Sequence, residues 1–149
     1  MKFEFDIEPV EQARPRATRM RKGIRVYDPQ KVAVFKRQLG TLAKQQMLDR
    51  GLEPYDGPLE VRMEFYRPVQ ASLSTKERSR RISGVHRPTV KPDLDNYIKS
   101  TSDALNGIIW TDDNCIVGLM AEKFYAEQPH LTVEIRRPTW KNMDWHLKK

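Results

Sequence analysis

Residues 59–66 constrain the fold most, because their side chains alternate strictly between two kinds. One face carries Leu59, Val61, Met63 and Phe65, and the other carries Glu60, Arg62, Glu64 and Tyr66. Successive side chains of a strand point to opposite faces, so this period of two predicts a strand with one buried face. The chain is therefore expected to contain a sheet that packs against another layer.

Two stretches with apolar residues at helical spacing flank this strand. The first helix is expected to begin after Asp28, acting as N-cap, and to run to about Leu48. Its buried stripe is expected to comprise Val32, Phe35, Leu39, Leu42 and Ala43. The second helix is expected over about residues 95–105. Both helices should pack their apolar stripes onto the sheet.

Three further segments have strand patterns. Residues 3–7 alternate, residues 116–125 are nearly continuous in apolar residues, as a central strand would be, and residues 131–135 alternate again. The last two segments are expected to form a hairpin. The prediction is an α/β or α+β fold with about four or five strands and at least two helices.

Length and composition exclude several classes of protein. A chain of 149 residues fits one domain, expected over residues 1–138 and followed by a basic tail at 139–149. No stretch approaches the roughly 20 apolar residues of a membrane span, and the N-terminus lacks the apolar run of a signal peptide. Cys115 is the only cysteine, which excludes an internal disulfide or a thiolate metal cluster. We expect a cytoplasmic protein without membrane contact.

The positive charge is concentrated in two segments. The formal net charge is +7 and the isoelectric point is about 9.6. One segment lies between strand and helix near the N-terminus, and the other lies in residues 68–92, which we expect to form a mobile loop without a packed element. Such segments favour a polyanionic partner, although a solvated surface explains them as well. The residues expected to contact DNA are Arg14, Arg16, Arg19, Arg80, Arg81, Arg87 and Lys91.

Two aspartates stand two residues apart where an extended segment should become a helix. Alternate residues of an extended segment point to the same side, so Asp93 and Asp95 can converge on one point. Further along, Asp112 and Asp113 stand at the entrance to an expected strand. Clustered carboxylates repel one another unless a cation compensates them, and oxygen ligands suit Mg²⁺ or Mn²⁺. A divalent-metal site is one interpretation of this arrangement.

Structural roles explain the same residues without a metal. Asp95 could cap the second helix, and Asp112 with Asp113 could form a polar turn. Lys99 lies one helical turn after Asp95 and one before Asp103, so it could donate to a reacting phosphate or only form a salt bridge. The residues alone leave both interpretations open.

Three consecutive motifs resemble the signature of the RusA family. They are Lys91-Pro92-Asp93-Leu94-Asp95-Asn96-Tyr97-Ile98-Lys99, then Asp103-Ala104-Leu105-Asn106-Gly107, then Trp110-Thr111-Asp112-Asp113. The resemblance implies a mixed sheet and a homodimeric, Mg²⁺-dependent endonuclease that resolves Holliday junctions in DNA recombination and repair. Such proteins are commonly encoded by bacteria and their prophages. Mn²⁺ is a second candidate cofactor.

Carried over by position, the resemblance assigns roles to four residues. It implies that Asp93, Asp95 and Asp113 are catalytic metal ligands and that Lys99 is the catalytic lysine. Asp113 is preferred over its neighbour because the family's essential aspartate is the second of the pair. One departure is that Pro92 stands directly before the first aspartate, where family members carry a basic residue.

Two rival functions follow from the same residues. A non-catalytic basic nucleic-acid-binding protein would use its aspartates only for capping and pairing, and its affinity for DNA would survive EDTA. A related nuclease would keep the metal and the fold but cut other branched DNA, such as a flap or a fork. Cleavage assays separate the first rival from a resolvase, and a comparison of substrates separates the second.

Overall fold

A computed structural model describes residues 1–139 of the chain. Its strands are β1 (Lys2–Phe5), β2 (Arg16–Met20), β3 (Gly23–Tyr27), β4 (Leu59–Pro68), β5 (Ile116–Ala126) and β6 (His130–Arg136). Its helices are α1 (Gln30–Asp49), α2 (Thr75–Ile82) and α3 (Leu94–Leu105), and a 3₁₀ turn at Asp113–Cys115 precedes β5. The α+β fold is as predicted. Within residues 1–139, no helix is both long and apolar enough to cross a membrane.

The main sheet is mixed, with the strand order β1-β6-β4-β5. Strand β4 pairs in parallel with β5 and antiparallel with β6, and β6 pairs antiparallel with β1. The predicted hairpin of the last two strands is wrong because β4 lies between them. The predicted central position of β5 is also wrong: β5 is an edge strand, and Val117 and Leu119 remain 63% and 47% exposed. An apolar run alone does not determine which strands pair.

The core lies on one face of this sheet, beneath α1 and α3. The alternation of β4 is confirmed, with Leu59, Val61, Met63 and Phe65 at most 1% exposed. On α1, Val32, Phe35, Leu39 and Ala43 are buried as predicted, whereas Leu42, at the margin of the stripe, is exposed. Gly40 lets α3 approach closely, since a Cβ atom there would lie 3.4 Å from the backbone oxygen of Ala104.

The charged segment at residues 68–92 is more ordered than the sequence indicated. Residues 68–92 contain α2, capped where the Ser74 hydroxyl accepts a hydrogen bond from the Glu77 backbone N–H at 3.2 Å. The expectation of no packed element there is wrong. Helix α2 has no buried residue, and intrahelical ion pairs such as Arg81 with Glu77 at 3.0 Å accompany its cap. An exposed helix of this kind lacks the apolar period on which the prediction depended.

The N-terminal basic segment forms a two-stranded hairpin, β2–β3, which we call the basic hairpin. Every residue of both strands is exposed. Asp28, which follows it, does not cap α1 as predicted, because Pro29 occupies the N-cap position. The Asp28 carboxylate instead accepts hydrogen bonds from Gln12 and Lys36, and the Gln12 contact closes the base of the basic hairpin.

Candidate active site

Asp93 and Asp95 flank the first residue of α3 with both side chains exposed. Asp93 occupies the N-cap position in an extended conformation, yet its side chain makes no capping hydrogen bond. Within residues 1–139, neither carboxylate has a hydrogen-bond or ion-pair partner. Negative charge is favoured at a helix N-terminus because unpaired backbone N–H groups point there. Both carboxylates are therefore free to accept an external ligand.

The chain entering α3 is held by contacts from distant elements. Lys123 of β5 donates from Nζ to the backbone oxygens of Val90 at 3.2 Å and Pro92 at 3.1 Å. On the helix itself, the buried Ser100 hydroxyl donates to the Val10 oxygen at 2.5 Å. The Lys123 contacts fix the segment that enters α3. The Ser100 contact holds the buried side of the helix against the backbone at Val10.

Asp113 is fixed by a buried tryptophan. The Trp110 indole Nε1–H donates to Asp113 Oδ1 at 2.7 Å, and Trp110 is fully buried. The Asp113 backbone N–H also donates to Asn106 Oδ1 at 3.1 Å. Asp112 has a different structural role. Its carboxylate caps the 3₁₀ turn by accepting a hydrogen bond from the Asn114 backbone N–H at 2.8 Å. The two neighbouring aspartates thus have distinct environments.

Lys99 belongs to a charged network that joins α1 and α3. Its Nζ atom donates to Asp103 Oδ1 at 2.8 Å, and Lys36 Nζ donates to Asp103 Oδ2 at 3.1 Å and to Asp28 Oδ2 at 2.8 Å. The hydrogen bond that Lys99 donates to Asp103 and the charge of Asp103 raise the pKa of Lys99, and the charge of Asp113 contributes in the same direction. Asp113 is therefore close enough to Lys99 to act on it electrostatically.

Asp28 contributes to stability in a pH-dependent way. Hydrogen bonds from Lys36 and Gln12 lower its pKa below the ordinary value of 3.8. Because the folded-state pKa is the lower one, this stabilisation is present above the unfolded-state pKa and is lost as pH falls through the folded-state value. We expect Asp28→Asn to reduce the free energy of unfolding at pH 7 by about 1 kcal/mol, with a smaller effect at pH 2. Urea unfolding at both pH values tests this, and equal losses at the two values would contradict it.

The structure places Asp93 and Asp95 at the N-terminus of α3 and Lys99 on its exposed side, whereas Asp113 contacts Asn106 at the C-terminal end of that helix. Among residues 1–139, no group of three or more His, Cys, Asp or Glu side chains lies close enough to hold a metal ion. The donor chemistry nevertheless fits a hard cation, because Asp93, Asp95 and Asp113 offer only carboxylate oxygens. A divalent ion there would need further oxygen ligands from water or substrate phosphate.

The residues expected to contact DNA fall into two groups. Arg80 and Arg81 pair with Glu77 on α2, and Arg87 pairs with Glu122 and lies over the Phe124 ring at 4.0 Å. In contrast, Arg14, Arg16, Arg19 and Lys91 are exposed and have no ion-pair partner within the described part of the chain. The second group therefore offers its full charge to a polyanion.

Sequence reasoning missed the residues that support the site from a distance. Lys36 and Lys123 contact residues 67 and 31–33 positions away, so no local spacing could indicate these contacts. The contact between the Trp110 indole and Asp113 was also missed. A tryptophan three residues before an acid was the only available signal for that contact.

Comparison with known proteins gives two consistent matches. The model of the family Endodeoxyribonuclease RusA matches residues 6–136. The chain is also 38% identical over 138 residues to an uncharacterized protein, YqaN, of Bacillus subtilis (strain 168). That alignment covers 91% of this chain and 95% of the relative, so the similarity extends over nearly the whole of both.

Proposed function

Because the chain belongs to the RusA endodeoxyribonuclease family, we propose that it resolves Holliday junctions by divalent-metal-dependent cleavage of two opposing DNA strands. The observation that carries the proposal is the pair of exposed, unpartnered carboxylates, Asp93 and Asp95, at the N-terminus of α3. Unpartnered acids in a chain of net charge +7 are expected where a cation is to be bound. Non-catalytic caps and salt bridges would show contacts within the protein.

Asp93, Asp95 and Asp113 would hold the divalent ion, Mg²⁺ or Mn²⁺, together with substrate oxygens. Such an ion supplies Lewis-acid polarisation of the scissile phosphate and helps to activate water. Trp110 would orient Asp113 by occupying one of its carboxylate oxygens, which leaves the other available. Asp112 is the weaker candidate because it caps the 3₁₀ turn.

Lys99 would stabilise negative charge on the phosphate during cleavage. Its side chain is 63% exposed, and the amine is protonated near neutral pH, as a lysine ordinarily is. The ammonium group can therefore leave Asp103 for a phosphate oxygen without first acquiring a proton. No histidine is required in this scheme.

A Holliday junction presents two equivalent strands for cleavage, which favours a two-fold symmetric homodimer with one active site facing each strand. Each chain would supply one set of Asp93, Asp95, Asp113 and Lys99. Selection of branched DNA would depend mainly on backbone contacts and on the shape of the junction.

The basic hairpin is the surface best suited to contact the DNA backbone. Its cations have no ion-pair partner within residues 1–139, and it also exposes Ile24 and Val26, which are 71% and 65% accessible. A two-stranded ribbon is narrow enough to enter a DNA groove. The cations of α2 are already partly neutralised by Glu77 and should contribute less.

We expect the double variant Arg16→Gln/Arg19→Gln to weaken junction binding and to reduce its salt dependence. Each lost phosphate contact reduces the magnitude of the negative slope of log K against log salt by about 0.9, so the loss of two contacts reduces it by about 2. Fluorescence anisotropy over a salt series measures the slope. The matched control, Arg37→Gln/Lys44→Gln, removes the same charge from exposed positions of α1. Equal slope changes in both variants would contradict a specific role for the hairpin.

A cleavage assay on synthetic DNA tests the proposed function. The substrates are an immobile four-way junction labelled on each strand in turn, a flap and a linear duplex of the same sequence, with Mg²⁺ or EDTA. We expect nicks at symmetric positions in opposing strands of the junction, lost in EDTA. Binding without cleavage under any divalent ion would instead identify a nucleic-acid-binding protein, and preferential cutting of the flap would identify a related nuclease.

A further inference from the structure

The carboxylate of Asp103 is shared between two lysines from different helices. Oδ1 accepts from Lys99 on α3 at 2.8 Å, and Oδ2 accepts from Lys36 on α1 at 3.1 Å. We infer that Asp103 is a positioning residue that holds the Lys99 ammonium group for catalysis, and that Lys36 holds Asp103. This inference depends on the proposed nuclease function, in which Lys99 acts on the phosphate.

Lys99 needs an anchor because its side chain is long and mostly exposed. The side chain is 63% accessible, and Asp103 is its hydrogen-bond partner within residues 1–139. Asp103 lies four residues later on the same helix, where side chains meet across one turn. The contact directs the ammonium group toward the C-terminal end of α3, away from Asp95 and toward the end at which Asp113 contacts Asn106.

Lys36 makes Asp103 a fixed anchor. The Lys36 side chain is only 19% exposed and bridges Asp103 to Asp28, so it joins α3 to the segment before α1. The two helices approach closely beside this network, since a Cβ atom at Gly40 would lie 3.4 Å from the backbone oxygen of Ala104. Lys36 thereby sets the position of Asp103 relative to the core.

Lys36 also allows Lys99 to leave Asp103 for a phosphate oxygen. If Lys99 were the sole partner of Asp103, moving it to a phosphate would leave a partly buried carboxylate unpaired, which is costly. With Lys36 in place, Asp103 remains paired when Lys99 turns to the DNA. The three residues thus form an anchor that can release the lysine.

A double-mutant cycle on cleavage tests the inference. We expect Asp103→Asn to slow single-turnover junction cleavage about 10- to 100-fold while junction affinity changes little, because a displaced catalytic group costs rate rather than binding. In a Lys99→Met background the same substitution should change the rate less than about twofold. Asp103→Glu should restore part of the rate. Equal slowing in both backgrounds would assign Asp103 a merely structural role and overturn the inference.

Amine labelling provides a readout that needs no cleavage. Lysine reacts as the neutral amine, and Asp103 raises the pKa of Lys99, so the wild-type Lys99 should react slowly. We expect Asp103→Asn to raise the labelling rate of Lys99 about three- to tenfold relative to the exposed Lys44, quantified by mass spectrometry. The control Asp49→Asn removes a carboxylate that also accepts from a residue four positions earlier, and it should change neither rate. An unchanged Lys99 rate in Asp103→Asn would overturn the inference.

Failure of this inference and failure of the proposed function give different results. If the proposed function is wrong, the wild-type chain cuts no junction in any divalent metal. If only the inference is wrong, the wild-type chain cuts junctions and the dependence on Asp103 through Lys99 is missing.

Discussion

Asp95→Asn is expected to bind a four-way junction at least as tightly as the wild type and to cut it at least about a thousandfold more slowly. The carboxylate is exposed and unpartnered within residues 1–139, so its loss removes no contact of the folded chain. A neutral amide is a poor ligand for a hard cation, and loss of several kcal/mol of transition-state stabilisation corresponds to this rate effect. Affinity should be maintained because one negative charge near the phosphates is removed.

The measurement combines junction binding in EDTA with single-turnover cleavage in Mg²⁺. Asp112→Asn is the matched control, because Asp112 is also exposed and acidic but caps the 3₁₀ turn. It should keep its stability within about 0.5 kcal/mol, because the asparagine oxygen can also accept the capping hydrogen bond, and it should keep most of its activity. Cleavage by Asp95→Asn at the wild-type rate would contradict the assignment of Asp95, and a larger loss in Asp112→Asn than in Asp113→Asn would reverse the assignment of that pair.

Trp110→Ala is expected to have the largest effect on stability, about 3–5 kcal/mol in the free energy of unfolding. Among residues 1–139, Trp110 is the largest of the fully buried side chains. Backbone hydrogen bonds around it clamp the region, with the Tyr55 N–H donating to the Ile109 oxygen at 2.8 Å and the Thr111 N–H donating to the Tyr55 oxygen at 2.9 Å. The cavity left by alanine would therefore lie in a tightly closed part of the core. Urea unfolding followed by circular dichroism measures the loss.

Trp110→Phe separates packing from the contact with Asp113. Phenylalanine keeps most of the aromatic packing but lacks the indole N–H that donates to Asp113 Oδ1. We expect a smaller stability loss, about 1–3 kcal/mol, because an acceptor loses its donor. Cleavage measured well below the unfolding transition should slow about tenfold through misplacement of Asp113. Unchanged cleavage by a folded Trp110→Phe variant would show that the indole does not orient this aspartate for catalysis.

The sequence predicted the elements whose signals are local. The period of β4, the apolar stripe of α1 and the position of α3 all arise from residues within one or two turns of each other, and the structure confirms them. The acidic motif at the start of α3 was also recognisable, because both of its aspartates belong to one continuous segment.

The sequence did not predict features set by distant contacts. The central position of β4 depends on its pairing with β5 on one side and β6 on the other, and either strand alone shows only an apolar pattern. Helix α2 was missed because capping and ion pairs accompany it without apolar burial. The support of Lys99 through Lys36 was missed for a different reason, since the two lysines meet through Asp103 only in the folded chain.

The most direct test of the central claim is cleavage of a supercoiled plasmid that extrudes a cruciform. Cutting both opposing strands of the cruciform within one encounter converts the plasmid directly to a linear form, whereas a single nick yields an open circle. A metal-dependent, dimeric resolvase should give linear product as the first species in Mg²⁺, with none in EDTA and none with Asp95→Asn. Tight binding of the cruciform with no linear or nicked product in any divalent metal would contradict the account.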